Sequence, residues 1–259
     1  MDKKPVVSIK TIADYHLEEF MRCSHQFYYR HLLGHAPLYQ TWRHTVQQTV
    51  GQVIRDYYQS PEHSRSSIRI LELLQRYWVK KVDLFHSREH YFHVLGSVTN
   101  HLISFLSRER KANPPLFMYE KFKTSVEELE IDLSMTLQVA EWTEESFILK
   151  KYVIDVEEDF YETYKHMATL FSYKAFQKLP ERIEIMNLLS GQEYVFYPVA
   201  DDIIEAVGYF HLTKDLLQNT DDYTRPKSFK DCSKCPFKKK CHRDWVPGHR
   251  ATTEYFNES

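Results

Sequence analysis

Glycine is scarce, with 6 residues in 259 against a usual share of about 7%. That argues against a glycine-rich phosphate cradle and against a turn-dense β-sandwich or propeller, and it favours a helix-rich fold. No stretch approaches the roughly 18 apolar residues of a membrane span. The polar start, Met1 to Lys10, has no apolar segment behind it, so a cytoplasmic protein with no membrane partner is expected. An excess of either charge is also missing, because 34 Lys and Arg face 36 Asp and Glu. Whole-chain electrostatics therefore announce no nucleic-acid partner; only local patches can carry one.

What is present is apolar and aromatic. Hydrophobic residues make up 42% of the chain, enough for a sizeable core in one large domain or two small ones. The 18 Tyr, 16 Phe and 4 Trp suit helix packing first and base stacking second. Charge is sorted along the chain. From Glu120 to Glu162 there are 13 acids to 4 bases, and from Arg225 to Arg250 there are 9 bases to 2 acids. The acidic block repels phosphate unless metal ions intervene, whereas the basic tail is able to contact it directly.

Hydrophobic periodicity divides the chain. Ile12, Tyr15, Phe20, Cys23, Phe27 and His31 form one helical stripe that Gly34 ends, and helices follow over about 41–58, 66–85 and 90–111. The period then changes. Residues 117–125, 130–142 and 146–154 alternate, with Thr143-Glu144-Glu145 as a hairpin turn. A helix over about 157–177, strands at 182–188 and 193–197 and a helix over about 201–218 complete the pattern. The expected organisation is a helical region over 1–115, an α/β core with a mixed sheet over 116–222, and an irregular basic cysteine tail over 223–259, all within one integrated domain.

Three of the four cysteines cluster as Cys232-x2-Cys235-x5-Cys241, in a segment with little hydrophobic periodicity of its own. Thiolates so close together need something to organise them, and a metal ion or cluster does that. Cys23 lies far away on the first helix. A site joining it to the trio would fasten the two ends of the chain together. Zinc and a four-iron four-sulfur cluster both accept four thiolates, and spacing alone does not separate them; His242 is also placed to complete a Cys3His zinc site without Cys23.

The context of these cysteines adds a resemblance. Tyr15 to Gly34, reading Tyr-His-Leu-Glu-Glu-Phe-Met-Arg-Cys-Ser-His-Gln-Phe-Tyr-Tyr-Arg-His-Leu-Leu-Gly, resembles the opening of RecB-type PD-(D/E)XK nucleases. The closing Cys-x2-Cys-Pro-Phe-x3-Cys is similar to their end. The subset with cysteines at both ends includes the AddB nuclease domain and the CRISPR-associated nucleases that process new spacers. The resemblance runs over nearly the whole chain. It implies a restriction-endonuclease-like fold and a four-iron four-sulfur cluster on Cys23, Cys232, Cys235 and Cys241.

Such nucleases place a His on an early helix, an Asp at a strand end and Asp/Glu-x-Lys on the next strand; the carboxylates bind Mg2+ or Mn2+, which polarises the scissile phosphate and generates hydroxide, while the Lys positions and activates the nucleophile. Here the His position falls near Gly51, with His44 nearby. The Asp position falls on Gln138, and the acid of Asp/Glu-x-Lys on Leu149 or Lys150, with Lys151 keeping the lysine in one register. The downstream Gln position falls near His166 or Met167. The resemblance therefore implies a degenerate catalytic site, with DNA bound through Lys238, Lys239, Lys240 and Arg243 of the tail and Lys150 and Lys151 of the strand. A helicase or nuclease partner fits an accessory role in repair, recombination or defence. Two other readings compete. One is an active metal-dependent exonuclease with displaced ligands drawn from Glu120, Asp132, Asp155, Glu157 and Glu158. The other is a zinc-stapled protein-interaction module.

Overall fold

The computed structural model describes residues 8–108, 115–224 and 229–243, with the side chains of 229, 230, 242 and 243 left out. The chain forms a mixed α/β fold around one six-stranded sheet: β1 (Thr11–Ala13), β2 (Phe117–Val126), β3 (Ile131–Trp142), β4 (Phe147–Val153), β5 (Arg182–Asn187) and β6 (Glu193–Phe196). The helices are α1 (Asp14–Arg22), α2 (Ser24–Phe27), α3 (Trp42–Gln59), α4 (Ser67–Tyr77), α5 (Arg88–Arg108), α6 (Asp159–Phe176), α7 (Ala200–Gln218), α8 (Phe229–Ser233) and α9 (Lys238–Arg243). The expected mixed-sheet α/β class is the one observed. Among the described residues no helix is long and apolar enough to cross a membrane.

Alternation explains the two-sided burial of the sheet. On β4, Phe147, Leu149 and Val153 join a core with Leu17, Phe27 and the inner face of α6 and α7. Tyr152 and Ile154 face the other way, into a core filled by α3, α4 and α5. Successive strand residues point to opposite faces, so a strand covered on both sides is buried throughout. The hairpin between β3 and β4 closes where expected, Ser146 N–H donating to the Thr143 hydroxyl at 2.9 Å.

Two departures matter. The segment expected as one helix from Ile12 to Leu33 begins as β1, which lies parallel to β3 in the register Ile12↔Leu133. It breaks again at Cys23, whose extended backbone separates α1 from α2, before a π-helical turn over Tyr28–Leu32. The cysteine tail, expected to be irregular, contains two short helices.

Candidate functional site: a filled fork and a four-cysteine centre

Strand β3 carries β2 along residues 131–140 of one edge. Its other edge is shared by two strands in tandem: β1 takes residues 132–134 in parallel, and β4 takes 139–142 antiparallel. The ladder is interrupted over 135–138, and the sheet forks there. Gln138 stands in this fork, so the polar groups along it need partners that a regular ladder would have supplied.

Side chains supply them. The Gln138 carboxamide oxygen accepts from Tyr152 N–H at 2.7 Å, and Gln47 of α3 donates to the Tyr152 carbonyl at 2.9 Å. Asp14, the first residue after β1, meets Lys151 of β4 with 2.8 Å between carboxylate and ammonium. Both are buried, and the Lys151 ammonium lies 5.1 Å from the centre of the Tyr164 ring. Burial alone would lower the lysine's pKa, but the Asp14 carboxylate overrides it and the net shift is upward. Lys151 is a held cation rather than a proton shuttle.

The helix side of the fork is closed by an aromatic ring. A Cβ on Gly51 would stand 3.2 Å from the Tyr119 ring, so the absent side chain is what lets that ring in. Tyr119 is passed over in the β2–β3 register, between Met118↔Val139 and Glu120↔Leu137, and has a left-handed backbone with φ 54°. A residue other than glycine seldom adopts that conformation, and here it swings the ring into the fork. The phenol hydroxyl is buried without a hydrogen-bond partner, beside Arg55, whose guanidinium lies 4.6 Å from the ring centre. Burial raises its pKa despite the nearby Arg55 and Lys151 charges.

The sequence-derived site residues are thus dispersed. Leu149 is in the core, and Lys150 points to the opposite face, 2.7 Å from Glu141 and 3.9 Å from Glu184. The expectation that Lys150 and Lys151 meet DNA is corrected here, because each is buried in an ion pair and neither is presented at the surface. Asp132 is engaged by Lys123 and Ser125 at the start of β3. Asp155 is engaged by Arg43, while Glu120 and Glu157 are exposed and Glu158 accepts from the Tyr194 hydroxyl. His44 is exposed on α3, and His166 stacks on Tyr209. Among the described residues, no group of three or more His, Cys, Asp or Glu side chains is arranged to hold a metal ion.

The cysteines do come together. Cys23, Cys232 and Cys235 line one cavity with Arg22, Arg43 and Lys234. Burial pushes the Cys23 thiol up to about 12, and Cys232, Cys235 and Cys241 add to the rise. Cys235 is pushed up to about 11, by burial first and then by Cys232 and Cys241 among its neighbours. The four thiols share one electrostatic environment without closing on a single point.

Local bonds hold this arrangement. Cys23 sulfur accepts from Gln26 N–H, the Cys235 N–H donates to the Cys232 carbonyl, and the Cys241 N–H donates to the Phe237 carbonyl. Phe237 stacks on Tyr29, and Ser24 exchanges two hydrogen bonds with the Thr224 backbone. Arg43 bridges Asp155 and Asp231, tying the end of β4 to the residue before Cys232. Lys238 and Lys239 are exposed and Lys240 is half-buried, while the side chains of His242 and Arg243 lie outside the described ones.

Sequence reasoning missed Asp14, Tyr119 and Arg43. Nothing in the local sequence of Asp14 announces a buried ion pair, and nothing in a single sequence marks a left-handed tyrosine.

No family model matches the chain, and no curated protein matches it. Among solved structures, the chain is similar to the protein named SSO0001 at 12% identity, with 93% of this chain and 90% of that one covered and a TM-score of 0.38. It is also similar to a "Putative exonuclease" from Eubacterium rectale at 9% identity, with 92% and 89% covered and a TM-score of 0.44. Likeness at these values establishes neither a family nor an activity.

Proposed function

We propose that this chain is a catalytically degenerate protein of the RecB/AddB-type nuclease class. In this reading Cys23, Cys232, Cys235 and Cys241 hold a four-iron four-sulfur cluster. The protein acts by binding DNA, or as the accessory subunit of a helicase or nuclease, in repair, recombination or defence. One observation carries the reading: the fork in the sheet is filled by Tyr119 over Gly51, by the Lys151–Asp14 ion pair and by the hydrogen-bonded Gln138. Metal-assisted phosphate hydrolysis needs carboxylates converging on an ion that touches the phosphate. In this fork the Asp14 carboxylate is already committed to an internal ammonium.

The donor set supports the cluster. Three thiols from the two ends of the chain, Cys23, Cys232 and Cys235, border one cavity with Cys241 close by, and Arg22, Arg43 and Lys234 on its walls offset the negative charge that thiolate ligation brings. A tetrahedral zinc holds its sulfurs roughly 3.8 Å apart, from bonds of about 2.3 Å. A cluster is broader, and thiols around a cavity suit it better. Once bound, it supplies a covalent clamp between α1 and the tail.

Purification under anaerobic conditions followed by metal and sulfide analysis tests the cluster, with about four irons per chain expected. Zinc without iron would replace this reading with that of a zinc-stapled interaction module. The same protein, incubated with DNA and Mg2+ or Mn2+, is expected to leave the DNA intact. Cleavage that disappears in Asp155→Ala or Glu157→Ala would instead establish an active nuclease with displaced ligands.

A further inference from the structure

Helix α7 is apolar on more than one side. Ala206, Phe210 and Leu217 are buried towards the sheet, yet Ile204, Leu212 and Leu216 on its opposite side are 76%, 65% and 54% exposed. A helix that is hydrophobic all round is ordinarily covered all round. The exposed aliphatics recur every fourth residue with Gly208 between them, so they form one continuous stripe. A Cβ on Gly208 would meet no atom within 4 Å. The stripe thus has a notch at its centre, where another helix backbone can come close.

The charge beside the stripe identifies what would cover it. Asp201, Glu205 and Asp215 are exposed along its margins, whereas the only lysine of the helix, Lys214, donates to the Leu129 carbonyl. A second copy would bring the same acidic margins, Asp201, Glu205 and Asp215, to the seam, and like charges there oppose pairing. A cationic rim would be attracted instead.

We propose that the outer face of α7 docks an amphipathic helix of a partner protein that carries an aliphatic stripe flanked by lysine or arginine. This surface stands apart from the fork and the cysteines, and the proposal holds whether or not the chain binds DNA.

The test uses the full chain and two synthetic helical peptides of about 18 residues, or about five turns. Both carry leucines at helical spacing, one with lysine flanks and the other with glutamate. Fluorescence anisotropy should register binding of the lysine peptide. Leu212→Asp should weaken it at least about tenfold, as expected of a central contact. Gly208→Gln, which fills the notch, should weaken it as well, and the glutamate peptide should bind at least about tenfold more weakly than the lysine one. Circular dichroism establishes that both variants remain folded, which the exposure of the two positions favours. Equal binding to the Leu212→Asp variant would reduce the effect to general attraction by acids and overturn the proposal, as would no binding of either peptide. A wild-type dimer in sedimentation that Leu212→Asp converts to monomer would overturn it in favour of a second copy.

Discussion

Lys151 and Asp14, 137 residues apart in sequence, meet at 2.8 Å across the gap between two strands that share one edge of a third. The pair neutralises a buried lysine where the sheet forks. Breaking a buried pair leaves an uncompensated ion, so Asp14→Ala should cost roughly 3–5 kcal/mol, read from urea unfolding. Replacing both residues together, as Asp14→Leu with Lys151→Met, should recover most of that loss. A single substitution as mild as the double one would mean that the pair is hydrated rather than buried.

The closeness of Gly51 and Tyr119 sets two effects against each other. Alanine in a helix gains about 1 kcal/mol over glycine, whereas a Cβ 3.2 Å from the Tyr119 ring forces that ring to give way. Gly51→Ala should therefore destabilise the protein or leave it unchanged. In a Tyr119→Ala background the same substitution should stabilise it by about 1 kcal/mol. Equal effects in both backgrounds would show that the ring does not occupy this space.

His16 gives stability an acid limb. Burial first, then the neighbouring His31, lowers its pKa from 6.5 to about 4. Between those values the unfolded chain binds more protons than the folded one, so this contribution is complete above 6.5 and lost as pH falls towards 4. The wild type should lose stability across that window more steeply than His16→Phe does, as followed by denaturant midpoints at successive pH values.

Iron content should fall sharply in Cys23→Ala, although its sequence context is distant from the trio, and binding to DNA should weaken with it. Salt titrations separate this from simple charge. Reversing Lys238, Lys239 and Lys240 together should flatten the salt slope by about two to three units, at 0.7 to 0.9 per phosphate. An unchanged slope would leave the tail as a solvated surface.

Much of the fold is legible in the sequence because its strands are covered on both faces and its helices on one. The alternation over 117–154 and the helical stripes before it locate most elements to within a residue or two. β1 was hidden because Ile12 also fits the helical stripe that continues to Phe27, and three residues are too few to show a period. The gathering of Cys23 with the C-terminal cysteines was legible as residues, since three cysteines in one short segment are conspicuous. The fork was not. The burial of Lys150 and Lys151 depends on Glu141, Glu184 and Asp14, and only tertiary structure brings those acids to them.

Ser24 and Thr224 exchange hydrogen bonds across 200 residues of chain. During synthesis, α1 and α2 therefore leave the ribosome long before the segment that covers them exists, and β1 likewise waits for β3. Such distant pairings delay completion of the fold. Until the tail arrives, the Tyr29 side against which Phe237 stacks lacks its cover, so final closure of this part of the fold waits for the synthesis of the segment that carries the three clustered cysteines.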